Sequence, residues 1–198
     1  MAEIPNKVLI ADRNPLLRRG VGSILHQNPN FQVIGETDNA KQVIEFSFTN
    51  NIHILISGLD LLEQPIQEVL RAVRKNIPSL KIILLAEPTE ELRVSRLIPL
   101  GLDGCLFMGE TTENLLKALD SVACGGVWFS QSLIKSLINP QGNIGQKLSI
   151  ELTIREHEVL QLISKGESNL QIANILGLSI QTVKKLHKSP LWKIRCSV

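Results

Sequence analysis

The residues best suited to chemistry lie near the C-terminus, between Thr153 and Lys188. There the segment QTVKKLHK brings Lys184, Lys185 and Lys188 together with Gln181 and Thr182. Apolar residues at Val159, Leu160, Leu162 and Ile163, then Ile172, Ile175 and Leu176, then Ile180 and Val183 are spaced for three short amphipathic helices. Gly166 and Gly177 stand where helices should stop, and Ser168 and Ser179 where the next should start. Two helices joined by a short Gly-containing turn, the second rich in Lys, are how a recognition helix is offered to a DNA groove. Catalytic signatures are missing: there is no nucleophile elbow, no P-loop, no G-x-G-x-x-G after a strand and no metal-ligand spacing. An enzyme is therefore the weakest reading, and no cofactor is expected.

Charge supports the same placement. Residues 1–146 hold 13 Lys/Arg against 15 Asp/Glu, a net of −2, while residues 147–198 hold 8 against 4, a net of +4. A basic C-terminal part beside a mildly acidic body puts any nucleic-acid contact at the C-terminus. The 198 residues are 43% hydrophobic and 20% charged, ordinary for a globular chain of one large or two small domains. Cys105, Cys124 and Cys196 are odd in number and lack C-x-x-C spacing, which argues against a disulfide framework and for a reducing cytosol. MAEIPNK has no apolar signal region and no run approaches 18 apolar residues, so neither secretion nor membrane insertion is expected.

The elements ahead of the basic module alternate. KVLIA (7–11), FQVIGE (31–36), HILIS (53–57), KIILLA (81–86) and DGCLF (103–107) are strand candidates, three of them nearly continuous apolar runs as parallel strands require. Helix patterns fall near 15–27, 39–49, 65–76, 89–99 and 111–124, with Pro15 and Thr111 as start signals and Gly101 as a stop. Five strand–helix units imply an α/β, doubly wound parallel sheet. GGVWFSQSLIKSLI (125–138) reads as a turn, a short extended piece and one more helix, and NPQGNIGQK (139–147) as a linker. The expected division is 1–126, 127–147 and 148–198.

The segments LTIREHEVLQLISKG, SNLQIANILGLS and QTVK closely resemble the helix-turn-helix of the NarL/LuxR/FixJ regulators. VLIADRNPLLRRGVGSIL, VIGETDNAKQVIEF, LGLDGCLFMGETTENLLKAL and GGVWFS are similar to the (βα)5, flavodoxin-like receiver domain of two-component response regulators. Together the resemblances span nearly the whole chain. They imply a receiver followed by a small all-α DNA-binding domain.

The resemblance also implies a phosphorylation site, and this chain departs from it. In the family an acidic pair after the first strand holds Mg²⁺ and a strand-end Asp accepts the phosphoryl group, because a hard cation wants oxygen ligands and the transferred charge must be neutralised. Here the pair reads Asp12-Arg13, and the acceptor position is Gly58. The expected hydroxyl is Ala86, and the expected Lys is Met108. Asp60 is two residues away, about 6–7 Å along an extended chain, and reads as a loop acid. Arg13 pairing with Asp12 in place of the metal is one expectation for the pocket. The receiver is thus expected to work without aspartyl phosphate and without a bound metal.

In the resembling family the DNA-contacting residues fall on Thr182, Lys184, Lys185 and Lys188, with Gln181, Asn169 and Gln171 beside them. Lys side chains would neutralise phosphates, and Gln181 or Thr182 would reach a base edge or backbone. Pro190 interrupts the later recognition helix, His187 replaces an apolar residue, and the family's last helix is expected to be missing beyond Cys196. Trp192 is expected to cover the domain's base. The leading reading is a cytoplasmic, phosphorylation-independent transcription regulator whose partners are double-stranded DNA and a protein regulator or second copy. The alternative is a pseudo-receiver adaptor with weak or no DNA binding. Salt-dependent DNA affinity separates the two.

Overall fold

A computed structural model describes residues 4–138, 154–164 and 167–186. The expectations for the 139–147 linker, Gly166, His187, Lys188, Pro190, Trp192 and Cys196 lie outside those residues.

Six strands form one parallel sheet in the order β2-β1-β3-β4-β5-β6. They are β1 (Asn6–Ala11), β2 (Phe31–Thr37), β3 (Ile54–Gly58), β4 (Lys81–Ala86), β5 (Gly104–Phe107) and β6 (Trp128–Phe129). The helices α1 (Pro15–His26), α2 (Ala40–Thr49), α3 (Ile66–Asn76), α4 (Glu91–Leu97) and α5 (Thr112–Ala123) alternate with them. All five residues of β3 are buried because helices cover both faces, which is why the run ILISG has no polar alternation. Alternate residues feed two cores. Leu9, Leu55, Ile82 and Leu84 join one with α2 and α3, while Val8, Ile10, Ile54 and Ile83 join the other with α1 and α5.

The starts and stops follow their signals. Asn14 caps α1, accepting from Leu16 N at 3.0 Å, with Pro15 at the first helical position. Thr111 caps α5, and Gly101 adopts φ 103 beyond the fourth helix. That helix is shorter than the 89–99 expected. Pro88 and Pro99 sit in 3₁₀ turns at 88–90 and 98–100, leaving seven α-helical residues. A Pro has no N–H for the i−4 carbonyl and its ring crowds that carbonyl.

The segment 127–138 contributes more than a route to the linker. Trp128 and Phe129 pair with Gly104 and Cys105 as a sixth strand. Helix α6 (Gln131–Ile138) then sends Leu133 and Ile134 into the first core. These are the short extended piece and the helix expected over 125–138; the pairing with β5 makes the extended piece a strand of the sheet.

Three helices follow: α7 (Ile154–Ser164), α8 (Asn169–Leu176) and α9, described over 180–186. Val159, Ile172, Ala173 and Val183 form their buried core. Ile175 and Ile180, expected to face inward, are 57% and 43% exposed. The eight residues of α8 bury only the stripe of Ile172 and Ala173, which leaves Ile175 outside.

Candidate functional site

Strand order brings Asp12, Gly58, Ala86 and Met108 side by side, since each lies at or just past the C-terminal end of β1, β3, β4 and β5. This edge, where the winding direction reverses between β1 and β3, is where open α/β sheets place their sites. Asp12 is held there by its own turn, Oδ1 accepting from Asn14 N at 2.7 Å. Its other oxygen fills the space over Gly58. A Cβ added at position 58 would lie 2.1 Å from Asp12 Oδ2 and 2.9 Å from Cγ. Burial pushes the Asp12 carboxyl above its ordinary value, against the Asn14 N–H and the Arg18 charge, which lower it. Ala86 is buried and has no hydroxyl, and its carbonyl accepts from Met108 N at 2.8 Å. The Met108 side chain leans on the second core.

The cation beside Asp12 differs from the one expected. Arg13 is exposed and forms no ion pair with Asp12; its charge instead helps to lower the Asp60 carboxyl. Arg18, one turn into α1, donates to the Asp12 carbonyl oxygen and lies 3.8 Å from Glu36 Oε2. Helical geometry explains the exchange: position 18 turns back over the strand end, whereas position 13 is in the turn itself. Asp60 is gripped by Arg93 of α4, whose Nη2 and Nη1 donate to Oδ1 and Oδ2 at 2.7 and 3.4 Å. The Arg93 hydrogen bond holds the Asp60 carboxyl below its usual range, and Arg93 also reaches Glu90 at 2.6 Å. Sequence reasoning missed Arg18 and Arg93, for a lone Arg in a helix carries no local signal of a strand-end partner.

The basic module is assembled by its caps. Ser168 starts α8 with a capping box: its hydroxyl accepts from Gln171 N at 3.3 Å while its own N–H donates to Gln171 Oε1 at 2.8 Å. Gln171 is thereby engaged in the fold. Gly177 ends α8 at φ 65. Ser179 starts α9, accepting from Thr182 N at 3.0 Å, with the two hydroxyls 2.8 Å apart. Gln181, Thr182 and Lys185 are exposed, and Asn169 and Lys184 are half-buried. Lys184 is turned toward the first domain, where its Nζ donates to the Cys124 carbonyl at 3.3 Å.

Among the described residues no group of three or more His, Cys, Asp or Glu side chains could hold a metal. No described helix is long and apolar enough to cross a membrane. A doubly wound receiver-like sheet followed by a capped helix-turn-helix is the architecture of a response regulator.

The comparisons with known proteins agree. Residues 150–196 match the family described as bacterial regulatory proteins, luxR family. The nitrate/nitrite response regulator NarP of Escherichia coli K12 is 32% identical over 182 residues, covering 91% of this chain and 84% of that protein. NarL of the same strain is 29% identical over 194 residues, covering 96% and 90%. Among solved structures, an RcsB response regulator–DNA complex is 25% identical with a TM-score of 0.64, covering 98% of this chain and 94% of that one. A structure of Salmonella typhimurium RcsB is 26% identical with a TM-score of 0.62, covering 96% and 92%. The chain belongs to the NarL/LuxR-type two-component response regulators, which are DNA-binding transcription factors and not enzymes.

Proposed function

We propose that this response regulator acts on double-stranded DNA in the cytoplasm, as a homodimer, without aspartyl phosphorylation. The carrying observation is the strand-end pocket. Gly58 has no side chain to accept a phosphoryl group, and Asp12 Oδ2 stands where that side chain would begin. With Ala86 and Met108 in the remaining positions, the pocket offers neither the hydroxyl nor the ammonium that would meet the phosphate. Asp60 is no substitute, since its two oxygens are taken by Arg93. In phosphoryl transfer, positioning is most of the catalysis.

DNA binding rests on the module built by Ser168, Gly177 and Ser179 and on the relatives. One related structure is described as two RcsB dimers bound to two parallel DNAs. Lys184, Lys185 and Lys188 would neutralise phosphates, and Gln181, Thr182 and Asn169 would face base edges or the sugar–phosphate backbone. Lys184 must leave the Cys124 carbonyl to do so.

The test is duplex-DNA affinity across a salt series, beside incubation with a small-molecule phosphodonor and Mg²⁺. The expected results are a negative slope of log affinity on log salt, reduced by about 2 in the Lys184→Ala/Lys185→Ala variant. Intact mass should not change. Affinity without a salt slope would refute DNA binding, and an adduct of about 80 Da on Asp60 or Asp12 would refute phosphorylation independence.

A further inference from the structure

A cleft of about 1050 Å³ opens between the β5–β6 edge of the sheet and the C-terminal module. One wall is the β5–α5 turn with α5 and β6, and the other is Ile163 of α7 with Glu167, Ser168, Asn169 and Gln171. Neither domain encloses it alone. Small-molecule sites favour such boundaries and combine aromatic walls with a few polar groups, and this volume is at the upper end of their range.

The lining has a definite chemistry. Met108 and Trp128 supply apolar surface on the α5 side of the sheet edge, Phe107 and Phe129 reach the cleft from the opposite face, and Ile163 lines it from the other domain. Met108 matters because a thioether here keeps the wall soft and uncharged. Among the described residues, three carboxylates, Glu110, Asp120 and Glu167, line the cleft with one cation, Lys117, while Lys184 reaches its rim at the Cys124 carbonyl. Glu110 is used internally: it accepts from Phe107 N and Asn114 Nδ2 at 3.1 Å each, and from the Ser130 hydroxyl. Asp120 and Glu167 join none of the ion pairs between described residues. One belongs to α5 and the other to the α7–α8 turn, so each domain contributes an available negative charge. Partial burial raises the Asp120 carboxyl above its ordinary value.

We propose that this cleft binds a small organic cation with a flat apolar body. Its ammonium sits with Asp120 and Glu167, and its ring lies against Met108 and Trp128. The acidic excess disfavours anions of the same shape, and aromatic walls attract a cation as well as a ring. The assignment is independent of whether the module binds DNA.

The test is calorimetric titration of the full chain with two aromatic amines, phenethylamine and tryptamine, and with phenylacetate, which keeps the first probe's ring and reverses its charge. At least one amine should bind saturably with Kd of about 1 mM, as a ligand of about ten heavy atoms can. Phenylacetate, and the amine on Asp120→Asn or Glu167→Gln protein, should bind about fivefold more weakly or less. Met108→Lys should abolish binding by placing an ammonium in the wall. Unchanged circular dichroism would show that these variants fold. No saturable amine binding, equal binding of phenylacetate, or full affinity in both carboxamide variants would overturn the assignment.

Discussion

Replacing Gly58 with Ala tests whether Asp12 occupies the pocket. The new Cβ would fall 2.1 Å from Asp12 Oδ2, inside any tolerable contact. Two escapes exist, and the cheaper sets the cost. Shifting β3 would disturb five buried residues in the centre of the sheet, an overpacking cost of about 1–3 kcal/mol. Rotating Asp12 out would forfeit the 2.7 Å bond from Asn14 N, worth about 1.5–3 kcal/mol for a charged acceptor and less where water replaces the partner. Either way the loss is about 1–2 kcal/mol. Gly58 does not have a positive φ, so Ala also gains about 0.4–1 kcal/mol by restricting the unfolded chain. Gly58→Ala alone should therefore destabilise by about 1 kcal/mol, while the same change on an Asp12→Ala background should be neutral or stabilising by about 0.5 kcal/mol. The assay is a double-mutant cycle by urea denaturation, with a coupling of about 1–2 kcal/mol expected. Additivity to within about 0.5 kcal/mol would show that Asp12 is elsewhere and would remove the steric part of the argument against phosphorylation.

Two more predictions follow from buried charge. Arg74 donates through Nε to the Gly101 carbonyl at 2.9 Å and pairs with Asp103, both side chains being under 15% exposed. Arg74→Ala leaves Asp103 with Lys81 Nζ at 3.4 Å and the Ile82 N–H at 3.0 Å and should cost about 1.5–3 kcal/mol, read as a lower urea midpoint at unchanged slope; a loss below 1 kcal/mol would sink this reading. The pH dependence concerns Asp12, whose carboxyl is raised above 3.8 in the folded chain. The folded state then holds the proton more tightly, so stability is present below 3.8 and falls as pH rises through the raised folded value. Asp12→Asn removes that fall, so its stability relative to the parent should improve as pH increases from 3 to 7; a flat or opposite difference would refute the raised value.

Much of the fold was legible because periodicity is local. The apolar runs of β1, β3 and β4 and the caps at Pro15, Thr111, Ser168 and Ser179 each state their structure within a few residues. The same locality explains the misses. Helix α4 contracted to Glu91–Leu97 because its prolines counted for more than its apolar spacing. Ile175 and Ile180 fit a helical stripe and still ended outside, since a stripe tells which residues share a face and not how wide a partner covers it.

By itself the chain's order of residues determined the family, the receiver-like sheet, the helix-turn-helix and the side chains at positions 12, 58, 86 and 108. Only the tertiary structure decided who meets whom there. Asp12, and not Arg13, fills the space over Gly58, Arg18 and Arg93 hold the neighbouring groups, and Lys184 faces Cys124 sixty residues away. Those contacts join atoms distant in the chain. They depend on strand order and helix rotation, which no local pattern of residue types records.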